Sequence, residues 1–128
     1  MDKNVWVVDD DESIRWVLEK GLSDGGMDVQ TFDSANKVIK KLETENPHLI
    51  LTDIRMPGPS GIDLLDKVKE LRPDIPVIIM TAHSDLDSAV ESYEHGAWEY
   101  LPKPFDIEEA LSMVKSCLLY TSDAADDE

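Results

Sequence analysis

The sequence predicts an α/β domain built on a parallel sheet with helices on both faces. Three observations carry that expectation. Five short apolar runs recur along 128 residues, five helical periodicities follow them, and turn-forming residues fall where one pattern gives way to the next. Right-handed crossovers between parallel strands then put helices on both sides of the sheet.

The apolar runs are VWVV at 5–8, DVQTF at 28–32, HLILT at 48–52, PVIIM at 76–80 and WEYL at 98–101. The first, third and fourth are almost continuous, as strands covered on both faces must be. The second and fifth are mixed and read as flanking strands. Between them, Ile14, Val17, Leu18, Gly21 and Leu22 recur at helical spacing, as do Ala35, Val38, Ile39 and Leu42. Leu64, Leu65, Val68 and Leu71 make a third stripe, Leu86, Ala89, Val90 and Tyr93 a fourth, and Ile107, Ala110, Leu111 and Val114 a fifth. Gly25-Gly26, Asn46-Pro47, Pro73 and Gly96 close the first four helices. The fifth stripe can continue to Leu118. After Tyr120 the chain turns small, polar and acidic, so residues 1–120 form the expected domain. Residues 121–128 are expected to be a disordered tail or a cloning or assembly scar.

A net charge of −16 argues against this chain gripping nucleic acid, which requires Lys and Arg to neutralise phosphates. No apolar stretch reaches bilayer-spanning length and no secretory leader pattern opens the chain, so the expectation is a cytoplasmic protein off the membrane. Cys117 is the single cysteine, which rules out an intrachain disulfide.

Parallel sheets bind ligands beyond the carboxyl ends of their strands. There the sequence has Asp9, Asp10 and Asp11 after the first run and Asp53 after the third, in LTDIRMPGPSG. Thr81 follows the fourth run, in IIMTAHSD, and Lys103 the fifth, in YLPKPF. Each has an ordinary explanation: Asp11 as a helix N-cap, Asp53 in a turn, Thr81 as another cap, Lys103 in solvent. N-capping does not account for three adjacent acids, since each carboxylate raises the cost of ionising its neighbours. A divalent cation resolves that conflict. Magnesium takes carboxylate and phosphate oxygens together, and aspartate can act as a nucleophile in phosphoryl transfer.

VVDDDESIR, LTDIRMPGPSG, VIIMTAHSD and GAWEYLPKPF, at their spacing, resemble the receiver domain of bacterial two-component response regulators. The wording is most similar to the nitrogen regulatory protein C (NtrC) group, which activates transcription with sigma-54 polymerase. The resemblance covers about residues 4–119 and implies a (βα)5 doubly wound sheet with the flavodoxin-like order 2-1-3-4-5. It implies Asp53 as phosphoacceptor and Mg2+ as cofactor, held by Asp10, Asp53 and the backbone carbonyl of Arg55, with Asp9 acting largely through water. For Asp11, outer-shell help and N-capping both fit. Lys103 would hold one phosphoryl oxygen and Thr81 another, with Tyr100 coupled to Thr81 in the switch. In this family the bond before Pro104 is commonly cis. The resemblance further implies a sensor histidine kinase as donor, a fused AAA+ and DNA-binding output, and a phosphorylation-dependent dimer. Such a domain is not an enzyme in the usual sense, because it processes only its own phosphoryl group.

Other readings fare less well. A phosphatase of the haloacid dehalogenase type needs a second acid where Arg55 stands. A flavin binder needs small residues with free amides in the first loop, which here is acidic. A receiver-like module that works by contact alone would not need the full set of acids, Thr81 and Lys103. Arg55 and His83 are expected to influence loss of the phosphoryl group; His48, His83 and His95 are scattered and read as surface residues, and Trp6, Trp16 and Trp98 as packing residues.

Overall fold

Asp11, Ser34, Ser60 and Asp85 each stand immediately before a helix and turn a side-chain oxygen to a backbone N–H of its first turn. With these caps the chain alternates strictly between strand and helix. The computed structural model describes residues 3–82 and 84–126. Its elements are β1 (Asn4–Val8), α1 (Glu12–Asp24), β2 (Asp28–Phe32), α2 (Ala35–Lys41), β3 (Leu49–Asp53) and α3 (Gly61–Leu71). They continue with β4 (Val77–Ala82), α4 (Leu86–Glu94), β5 (Glu99–Lys103) and α5 (Ile107–Asp126). His83 lies outside the described residues.

The strands form one parallel sheet in the order β2-β1-β3-β4-β5. The mixed runs are the two edges, and the continuous ones the centre. Alternate residues of the central strands feed two separate cores, because successive strand side chains point to opposite faces. Val5, Val7, Leu49, Leu51, Ile78 and Met80 meet Leu18 and Leu22 of α1 and Ala110, Val114 and Cys117 of α5. Trp6, Val8, Ile50, Val77 and Ile79 meet α2 and α3 through Ala35, Val38, Leu64, Leu65 and Val68. Each large side chain buried this way contributes about 1.5–3 kcal/mol.

Four local expectations are corrected. Thr81 and Lys103 belong to their strands rather than follow them, since parallel pairing continues through Thr81↔Pro102 and Ala82↔Lys103. Likewise Asp53, in register with Met80, closes β3. Helix α4 rests on Ala89 and Ser92 and leaves Leu86, Val90 and Tyr93 exposed by 62, 58 and 42%. Small residues let it sit close, and the buried Ser92 hydroxyl donates to the Ala89 carbonyl at 2.7 Å, so burying serine leaves no orphaned donor. Trp16 is 62% exposed on α1 and not a packing residue. Finally, the boundary drawn after Tyr120 falls inside α5, which runs on to Asp126. Ala124 and Ala125 favour helix, and each residue added to an existing helix gains a backbone bond.

Candidate functional site

Three of the residues singled out in the sequence converge at the carboxyl edge of the sheet. Donor oxygens of Asp9, Asp10 and Asp53 all lie within 4.8 Å of one another. β1 ends at Val8, and the buried Asp9 that follows it still bonds to β2 through its N–H on the Phe32 carbonyl at 3.1 Å. The neighbouring β3 ends in the half-buried Asp53. Lys103, at the end of β5, reaches over β4 to both: its Nζ lies 2.8 Å from Asp9 Oδ2 and 3.3 Å from Asp53 Oδ1. The other Asp9 oxygen accepts from the Asp11 N–H at 2.9 Å. Only oxygen donors make up the cluster, the set a hard divalent cation takes, so these residues fit such a metal.

Thr81 lies on β4, between the strands that carry Asp53 and Lys103, and is buried. Tyr100 is not in the cluster. It pairs in register with Ile79, two residues before Thr81 and on the same face of the sheet, and its ring meets Tyr93 of α4 edge-on, with centroids 5.8 Å apart. Asp11 is an N-cap: its Oδ1 accepts from the Ser13 N–H at 2.8 Å. Arg55 sits in the β3–α3 loop with its side chain turned away from the acids, donating from Nε and Nη2 to Asp85 Oδ2 at 3.1 and 2.9 Å. The Lys103–Pro104 bond is cis.

A model of the response regulator receiver domain family matches residues 5–115. The chain belongs to that family.

Similarity within the family is specific. The DNA-binding transcriptional regulator NtrC of Klebsiella pneumoniae is 57% identical over 109 residues, which are 85% of this chain and 23% of that protein. The receiver therefore spans about a quarter of the length of the curated relatives it matches. Among solved structures, the apo receiver domain of nitrogen regulatory protein C is 52% identical with a TM-score of 0.83, covering 92% of this chain and 95% of that one. A CheY-like receiver from Methanospirillum hungatei JF-1 is 31% identical with a TM-score of 0.91, covering 97% of this chain and 99% of that one. This is an NtrC-like receiver.

The receiver's charges are set against one another. Burial pushes the Asp53 carboxyl above the ordinary aspartate range and the Asp9 charge adds to it, while Lys103 pulls back only in part. Burial alone would depress Lys103, but its hydrogen bond to Asp9 and the charges of Asp53 and Asp9 outweigh that, and its pKa is raised. Asp9 is almost fully buried, so losing Lys103 would strand a buried charge, a change worth about 3–5 kcal/mol.

Three residues with a part in this site were not evident from the sequence. Arg15 donates from Nη1 to the Asp9 carbonyl at 2.7 Å. Asp85 holds Arg55 while its other oxygen caps α4 on the Ser88 N–H. Gly61 packs directly on the backbone of Asp53. Only for Gly61 was there a signal, its place just after the Pro-Gly-Pro-Ser turn that follows Asp53.

Proposed function

We propose that this receiver accepts a phosphoryl group on Asp53 and uses it to alter the surface formed by α4, β5 and α5. The observation that carries the proposal is the Asp53 carboxylate held beside Asp9 and Asp10 with the Lys103 ammonium 3.3 Å away. The donor would be a phosphohistidine on a sensor histidine kinase: an Asp53 oxygen forms the new P–O bond as the P–N bond breaks, its electron pair leaving on the imidazole. Asp10, Asp53, the Arg55 carbonyl and, largely through water, Asp9 would hold Mg2+, which when bound neutralises charge on the phosphoryl oxygens. Lys103 holds one phosphoryl oxygen and the Thr81 hydroxyl donates to another. A phosphoryl group brings roughly two negative charges, enough to draw Thr81 inward. Tyr100 shares a sheet face with Thr81 and touches Tyr93 of α4, so that movement has a packed route to α4.

The relatives named as DNA-binding transcriptional regulators support a DNA-binding, transcription-regulating output. The finer reading, an AAA+ sigma-54 activator and a phosphorylation-dependent dimer in the cytoplasm, rests on the family resemblance. The receiver itself would catalyse only its own phosphorylation and dephosphorylation, with Arg55 and His83 influencing the second. The test is intact mass after incubation with acetyl phosphate, with and without Mg2+, followed by peptide mapping. One Mg2+-dependent adduct on Asp53, lost in Asp53→Asn with the fold intact, is the expected result. Undiminished labelling of Asp53→Asn would overturn the assignment.

A further inference from the structure

We infer that Arg15 is a positioning residue for the metal-binding acids: its guanidinium holds the peptide unit that joins Asp9 to Asp10 and thereby aims the Asp10 carboxylate. The inference deepens the proposed function and rests on it. Arg15 Nη1 donates to the Asp9 carbonyl at 2.7 Å, and the Arg15 backbone N–H donates to the Asp11 carbonyl at 3.1 Å. The Asp9 carbonyl belongs to the peptide unit directly before Asp10. The Asp11 carbonyl belongs to the unit after residue 11 and makes an ordinary first-turn helix bond, so the side chain of Arg15 acts through Asp9 alone.

The other two acids of the cluster are fixed through their own carboxylates. Both Asp9 oxygens are engaged, by the Asp11 N–H and by Lys103, and Asp53 faces Lys103. Asp10 differs. Its side chain is exposed, and among the described residues no hydrogen bond or ion pair holds its carboxylate. Its direction is inherited from the backbone. Arg15 holds the preceding peptide unit through the Asp9 carbonyl, and the Asp11 N–H on Asp9 Oδ1 holds the following one. A turn of the first would swing the carboxylate away from Asp9 and Asp53. Groups that orient ligands in this way commonly matter 10–100-fold to metal affinity.

Electrostatics predicts the opposite sign. A guanidinium beside a cation site repels the cation, so on charge alone its removal tightens binding. The two roles are therefore separable by one titration. The measurement is Mg2+ binding to the 128-residue chain by isothermal titration calorimetry, for wild type, Arg15→Met, Arg15→Lys and Lys20→Met. Arg15→Met should raise the Kd for Mg2+ by about 10–100-fold. Arg15→Lys, which keeps a cationic donor on a long stem, should recover most of the loss. Lys20→Met, which removes an exposed charge from the same helix, should stay within about twofold of wild type.

Binding by Arg15→Met as tight as wild type or tighter, with a native circular dichroism spectrum, overturns the inference and leaves the function proposal standing. So does an Arg15→Lys variant as weak as Arg15→Met. Should Arg15→Met not fold, Arg15→Gln takes its place under the same criteria. Absence of Mg2+ binding to the wild-type chain overturns the reading of the site and the inference with it.

Discussion

At Gly61 the chain has no room for a side chain. Its N–H donates to the Ile54 carbonyl at 2.8 Å, and a Cβ there would lie 2.3 Å from the Asp53 carbonyl oxygen and 2.8 Å from the Ile54 Cα. Both are backbone atoms, so the strain has no flexible side chain to absorb it. Alanine at 61 must push the loop that carries Arg55 away from Asp53 or displace Asp53 itself. Misplacing reacting groups by about 1 Å commonly costs on the order of 100-fold in rate. Gly61→Ala is therefore expected to slow labelling by acetyl phosphate by about 10–100-fold, followed by intact mass against time. A wild-type rate would mean that the loop yields without moving the acid.

Helix α4, seated on Ala89 and Ser92, is also held by contacts at its two ends. Asp85 caps its start and pairs with Arg55. Near its other end the Tyr93 hydroxyl donates to Glu99 of β5, and His95 Nδ1 lies 2.6 Å from Asp66 of α3. The hydrogen bond to Asp66 raises the His95 pKa, against the pull of desolvation, and the charges of Asp66, Glu91 and Glu94 add to it. The Lys69 stem packs alongside at Gly96, where a φ of +102° ends the helix. A group whose pKa is raised on folding stabilises fully below its unfolded pKa, and that contribution fades as pH rises through the folded pKa. The Tm advantage of wild type over His95→Gln should thus be largest near pH ~6 and shrink toward pH ~9. A difference that stays constant across that range would show that the contact works without its charge.

Across the whole molecule the dominant electrostatic fact is excess acid, a net charge of −16 with only 12 Lys and Arg. Most of that charge is exposed and repels itself more in the compact fold than in the open chain. Raising NaCl from about 20 mM to about 500 mM shortens the screening length several-fold and should raise Tm. A Tm that falls or does not move would show that attractive pairs such as Lys103 with Asp9 and Asp53 outweigh the long-range repulsion. No helix among the described residues is long and apolar enough to cross a membrane. Both apolar faces of the sheet are packed against helices of the chain.

The fold and most of the site were readable along the chain because both depend on short-range periodicity. Continuous apolar runs mark strands covered on two sides, helical stripes mark what covers them, and parallel strands carry the residues at their ends to a single edge. That sufficed to bring Asp9, Asp10, Asp53, Thr81 and Lys103 together. Tyr100 was named through family resemblance; its contact with Tyr93 appears only in three dimensions. Arg15, the Arg55–Asp85 pair and the exposed stripe of α4 were decided by tertiary structure alone. Periodicity defines a stripe but not which way the helix is rolled when it docks. Small residues at 89 and 92 turned α4 against the reading that its larger apolar residues favoured. Side-chain contacts between elements distant in sequence follow from that final placement, which neither partner specifies by itself.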